Sequence, residues 1–217
     1  MMDRRAFFLL GGAALAASAT RSFPSNVWAD QPPQLGLLDP RAANLIAAAK
    51  RQIGVTVIYD PAYVGLTYTN GDVPRDRGVC SDVIIRAYRD AFDFDLQQAV
   101  HLDMKAHFSA YPTRWGLKRP DRNIDHRRVL NLARYFERQG ADLPVTDQPE
   151  TYLPGDVVEQ VLPGNLPHMS IVSDEVSRSG NPMVVHNIGG GTRLEDRLFA
   201  FKVVGHFRFF PKQTPRS

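Results

Sequence analysis

Apolar and polar positions divide the chain into a helical first half and a stranded second half. Val83, Ile84, Ala87, Tyr88 and Ala91 repeat at the i, i+3/i+4 spacing of an amphipathic helix. Pro74 and Gly78 break any earlier periodicity, so that helix is predicted to open at or just after Cys80. Upstream, Asp39-Pro40 offers an N-cap followed by proline at the first helical position, and residues 42–53 fill a helix that Gly54 ends. A short β-branched run at 55–59 leads into a loop at Pro61. Residues 95–108 form another helical stretch, and Asn123 begins a further helix that runs to Gln139 and closes at Gly140. Strand-like runs then follow at 156–162, 168–173, 183–188 and 199–210, with turn signals at Pro163-Gly164 and Gly180-Asn181-Pro182. Helices first and strands after predict an α+β domain in which N-terminal helices, the cysteine-bearing one among them, pack on an antiparallel sheet.

The N-terminus breaks this pattern. Asp3-Arg4-Arg5-Ala6-Phe7-Phe8-Leu9-Leu10 and the small, weakly apolar run at 11–19 read as a twin-arginine export signal over residues 1–29. Ala17-Ser18-Ala19 and Val27-Trp28-Ala29 both fit a small-x-small cleavage site, and the second is preferred. The apolar run, about a dozen residues, is short for a membrane anchor, and no later stretch is long enough to span a bilayer. The expectation is a periplasmic protein with no stable membrane span after cleavage, delivered by the twin-arginine export machinery, with residues 30–217 forming one domain. The formal charge of the whole chain is +3. Removing Asp3, Arg4, Arg5 and Arg21 leaves 23 basic against 22 acidic residues, which gives no electrostatic case for nucleic acid.

The chain has one cysteine, so no internal disulfide can form. An unpaired thiol in an oxidising compartment is a chemical liability, which favours a role for it. At a helix N-terminus, Cys80 would meet unpaired N–H groups that favour thiolate over thiol; the alternative is a small buried hydrophobe. His168 opens one predicted strand and His186 closes the next, so antiparallel pairing would bring them together. A Cys80, His168, His186 row would then place a nucleophile, a base and an orienting group in line. Asn187 also neighbours the row, but successive strand residues face opposite ways, so His186 and Asn187 cannot both point into one site. His101 and His107 lie six apart on largely different helix faces and read as packing or surface residues; no metal or other cofactor is expected. Asp125 and His126 could line a groove, or Asp125 could cap a helix. The Gly189-Gly190-Gly191 run could admit a substrate backbone or form a turn. It lacks the strand-to-helix setting of a phosphate loop.

Several stretches resemble the NlpC/P60 group of papain-like cysteine peptidases: Tyr68-Thr69-Asn70-Gly71, Val79-Cys80-Ser81, Leu153-Pro154-Gly155-Asp156-Val157-Val158, His168-Met169-Ser170-Ile171-Val172 and Val184-Val185-His186-Asn187. More closely, Gly78-Val79-Cys80-Ser81-Asp82-Val83, Asn123-Ile124-Asp125-His126-Arg127, His186-Asn187-Ile188-Gly189 and Gly205-His206-Phe207-Arg208 resemble the DUF1287 family, exported bacterial proteins usually grouped with that clan. The resemblance implies Cys80 as nucleophile, His168 as base and His186 as orienting residue, with Tyr68 and the Cys80 N–H stabilising an oxyanion. Asn187, Asp82, Asp125 and His126 are the candidate substrate contacts. The sequence departs from the usual Asp-Cys-Ser-Gly pattern, with Val79 before the cysteine and Asp82 two residues after it. The function expected is an exported cysteine hydrolase that cleaves an amide in peptidoglycan peptides or another cell-envelope substrate. The alternatives are an acyltransferase or lipid hydrolase using the same site, and an inactive periplasmic binding module.

Overall fold

The computed structural model describes residues 38–212, so the signal read at 1–29 lies outside the described residues. Four α-helices precede a five-stranded sheet. The helices are α1 (Pro40–Lys50), α2 (Cys80–Phe92), α3 (Leu96–Ala106) and α4 (Val129–Arg138). A two-residue parallel ladder, β1 (Ile58–Tyr59) with β2 (Arg77–Gly78), sits ahead of α2. The sheet comprises β3 (Val157–Leu162), β4 (Leu166–Val176), β5 (Pro182–His186), β6 (Arg193–Glu195) and β7 (Lys202–Phe207) in the order β6-β5-β4-β3-β7. Every pairing in it is antiparallel.

Local chemistry sets the helix starts. Asp39 accepts the Arg41 N–H with Pro40 behind it, and Asp95 accepts the Gln98 N–H, each satisfying a donor that the first turn leaves free. Val79 at the start of α2 has no capping side chain. There Asp82 reaches back to accept the Val79 N–H at 2.7 Å, the returning half of a capping box.

The strands carry apolar side chains on both faces, as a sheet covered on both sides requires. Val157, Met169, Ile171, Val185 and Phe207 pack with Leu45, Ile84, Tyr88, Leu132 and Phe136 of the helices. On the other face Val158, Val172 and Val184 pack with Tyr152 and Leu198. At the far end of the sheet, Asp156 is fully buried. It takes Arg208 through two hydrogen bonds and His206 at 2.7 Å, with the Tyr152 ring stacked on His206.

Two expected elements differ and one strand is added. The run at 55–59 shrinks to Ile58–Tyr59, because Val55, Val57, Ile58 and Tyr59 stay exposed with no sheet face to bury them. The helix expected from Asn123 starts at Val129. A 3-10 turn, Asp125–Arg127, precedes it, with Asp125 tied to the Asp121 N–H and to Arg128. The short strand Arg193–Glu195 was not expected; it adds to the edge of β5 after the glycine run.

Candidate active site

Cys80 is the first residue of α2 and is 4 % exposed. The segment is held from three sides. Gly78 leaves no room for a side chain, since a Cβ there would lie 2.9 Å from the Asp82 side chain. Asn187 donates to the Gly78 carbonyl at 3.1 Å. Ser81 donates to the Arg127 carbonyl at 2.6 Å. Asp82 then pairs with the Arg127 guanidinium through two bonds of 2.9 Å, both groups buried. Arg127 also donates to the carbonyls of Ala62 and Asp60, which fastens the loop after β1 over the start of α2.

Cys80 packs in the same buried cluster as Met169 of β4, whose backbone N–H acts on the thiol. β5 registers Val184 with Val172 and Val185 with Ile171, then ends at His186. Met169 and Ile171 face the helices, so alternation puts His168 and Ser170 on the opposite face together with Val172. His186 shares that face with Val184. The His168 Nε2 and His186 Nδ1 atoms are 3.0 Å apart, and the His186 Nε2 atom is 3.0 Å from Glu195 Oε2. The result is a row of three side chains, His168, His186 and Glu195, carried by β4, β5 and β6. No hydrogen bond joins the Cys80 sulfur to a His168 ring nitrogen among the described residues.

Burial dominates the electrostatics. It pushes the Cys80 thiol up to about 11, against the lowering effect of the Met169, Ser81 and Cys80 N–H groups. This corrects the expectation of a thiolate favoured by the helix N-terminus: desolvation of the charge outweighs the helix-end N–H groups. Burial, then the neighbouring His186, takes His168 down to about 3. His186 is also lowered by burial, opposed by Glu195. In the resting site Cys80 and His168 are therefore both neutral near pH 7.

The other expected site residues fall elsewhere. Tyr68 packs edge-on against His101 and under Arg122. It is Tyr59 that feels the charges of Cys80 and Asp82, which together with desolvation raise its phenol to about 12. Asp82 is sealed in its ion pair with Arg127, and Asn187 anchors Gly78, so both serve the scaffold rather than contact substrate. His126 is 2 % exposed, and the charges that act on it include Asp72, Arg89 and Asp95 but not Cys80. Asp125 lines a separate recess with Trp115, Arg128 and Asn131. No group of three or more potential metal ligands occurs among the described residues.

A family model described as "Domain of unknown function (DUF1287)" matches residues 46–209. The chain belongs to the DUF1287 family. The matched DUF1287 segment contains Tyr59, Cys80 and the His168, His186, Glu195 row. The chain is also similar to the Escherichia coli (strain K12) protein "Uncharacterized protein YijF", with 53% identity over 164 residues, covering 76% of this chain and 80% of that protein. Two residues of this DUF1287 site were missed by sequence reasoning. Glu195 follows the glycine run on a strand of three residues, too short for a period-2 signal, and Tyr59 lies in a run whose exposure hid its proximity to Cys80. The alternation Arg193-Leu194-Glu195 was the one available signal for Glu195.

Proposed function

We propose that this domain is a thiol-dependent hydrolase with a papain-like, NlpC/P60-type arrangement, exported to the periplasm and cleaving an amide bond in peptidoglycan peptides. The observation that carries the reading is the cysteine on the first turn of α2, packed against Met169 of the strand that carries His168 in the His168, His186, Glu195 row. The resemblance of the cysteine and histidine segments to the NlpC/P60 peptidases supports it.

His168 takes the thiol proton as sulfur attacks the carbonyl carbon, so charge develops only as the bond forms. The oxyanion is met by the Cys80 N–H and the Tyr59 hydroxyl, donors of the kind that stabilise a tetrahedral intermediate. When the intermediate collapses, the C–N bond breaks and His168 returns the proton to the leaving amine. Water, deprotonated by His168, then attacks the thioester and releases the acid and the free thiol. Digestion of purified sacculi by the mature chain tests the substrate: new muropeptides with wild type and none with Cys80→Ala are expected, and no release by wild type at stoichiometric enzyme overturns it.

A second reading, hydrolysis or transfer of a lipid acyl group, is favoured by the exposed apolar side chains Val57, Ile58, Tyr63 and Val64 around Tyr59. Turnover that rises with acyl chain length on p-nitrophenyl esters, with product diverted to an added amine, would select it. Ligand binding that survives Cys80→Ala with no turnover by either form would point instead to a binding module.

A further inference from the structure

Glu195 stands at the outer end of the row, on the edge strand β6, and its side chain is 29% exposed. Its Oε2 atom is 3.0 Å from His186 Nε2, while Arg197 is more distant at 3.9 Å. A carboxylate only accepts hydrogen bonds, whereas a neutral imidazole has one donor nitrogen and one acceptor nitrogen. Proton placement along the row is therefore decided from the carboxylate inward. His186 Nε2 must carry the hydrogen that Glu195 accepts, which leaves His186 Nδ1 with a lone pair. That lone pair faces His168 Nε2 at 3.0 Å, so His168 Nε2 must also carry its hydrogen. The only unprotonated nitrogen left on His168 is then Nδ1.

We propose that Glu195 is a positioning residue that fixes both rings in the Nε2–H tautomer and thereby makes His168 Nδ1 the basic atom of the site. This deepens the hydrolase reading above and rests on it for the function of the base; the tautomers themselves do not depend on turnover. Without the carboxylate, the two rings can share their hydrogen in either direction. In the reverse arrangement His168 carries hydrogen on Nδ1 and cannot take the thiol proton there. The outer partner thus decides which face of a ring two positions away is basic, as outer-shell partners orient functional histidines elsewhere.

The test is long-range proton–nitrogen NMR on the histidine-labelled full chain at neutral pH, with His168 and His186 assigned by substitution. Wild type is expected to show a single Nε2–H tautomer on both rings. Glu195→Ala is expected to lose that fixed state on His186 and His168 while the amide spectrum of the fold stays in place. Glu195→Gln, which still offers a carbonyl oxygen to His186, is expected to restore it. Nδ1–H rings in the wild type, or Nε2–H tautomers unchanged in Glu195→Ala, would overturn the proposal. A chain inert towards sacculi but carrying Glu195-dependent tautomers would instead sink only the hydrolase reading.

Discussion

Cys80 should behave as a buried thiol, not as a resting thiolate. Burial raises it from 9.0 to about 11, so the thiolate fraction near neutral pH falls about a hundredfold. A more basic thiolate is intrinsically more nucleophilic, with a Brønsted coefficient of about 0.4–0.5, which recovers roughly six- to tenfold of that loss. The net expectation is alkylation by iodoacetamide on the order of tenfold slower than an ordinary exposed thiol at pH 7, and slower again because the residue is only 4 % exposed. The lone cysteine makes the assay unambiguous: intact-mass measurement of the alkylated chain as a function of pH. The rate should climb without a plateau until well above pH 9. His168→Ala should move this profile little, because His168, lowered to about 3, is already uncharged across the range. A plateau below pH 8 that disappears in His168→Ala would refute the reasoning, because it would reveal a thiolate–imidazolium pair already present at rest.

The remaining predictions concern the scaffold and the oxyanion contact. Glu159 is 8 % exposed and is raised from 4.5 to about 7 by burial and then by Glu137. The folded state therefore keeps a proton that the unfolded chain loses above about pH 4.5, so stability should fall as pH rises from 4.5 to 7, by up to about 3 kcal/mol. Glu159→Gln should abolish that slope in urea melts at the two pH values; an unchanged slope would assign it to other groups. Arg127→Met leaves Asp82 buried without its partner and should cost about 3–5 kcal/mol in the same melts, and a cost under about 1 kcal/mol would mean that the pair contributes little to holding α2. Once a substrate is in hand, Tyr59→Phe should lower kcat by about 10²–10³-fold, as expected for a lost oxyanion donor, with Tyr68→Phe near wild type; the opposite ranking would restore Tyr68 to the site.

The helix opening at Cys80 and the meeting of His168 with His186 were legible because each depends on short-range order. The 3.6-residue repeat from Val83 to Ala91 needs no distant partner, and the two histidines lie on strands joined by a tight connection. Alternation also foretold that His186 and Asn187 would part: His186 joins the row and Asn187 turns to Gly78. Tyr68 and Tyr59 could not be ranked in the same way. Which of them lies near Cys80 is settled by Arg127 gripping the carbonyls of Asp60 and Ala62, contacts across more than 60 residues that leave no local signature. The thiol's protonation was misjudged for a related reason: the helix end was visible in the sequence, but the depth of its burial was not.

The two faces of the sheet divide the candidate site. The sheet works as a septum, with Cys80 packed among the helices on one face and the His168, His186 pair on the other. Between the two lies the strand end where β5 stops at His186. In the hydrolase proposed above, a reacting carbonyl would enter there edge-on, near β1 with Tyr59 and the glycine run, where Gly191 packs so tightly on residue 56 that a Cβ would sit 2.8 Å from its carbonyl. Direction of entry, rather than depth of pocket, would then be the selective filter, and a thin extended chain would pass it more readily than a branched or globular one.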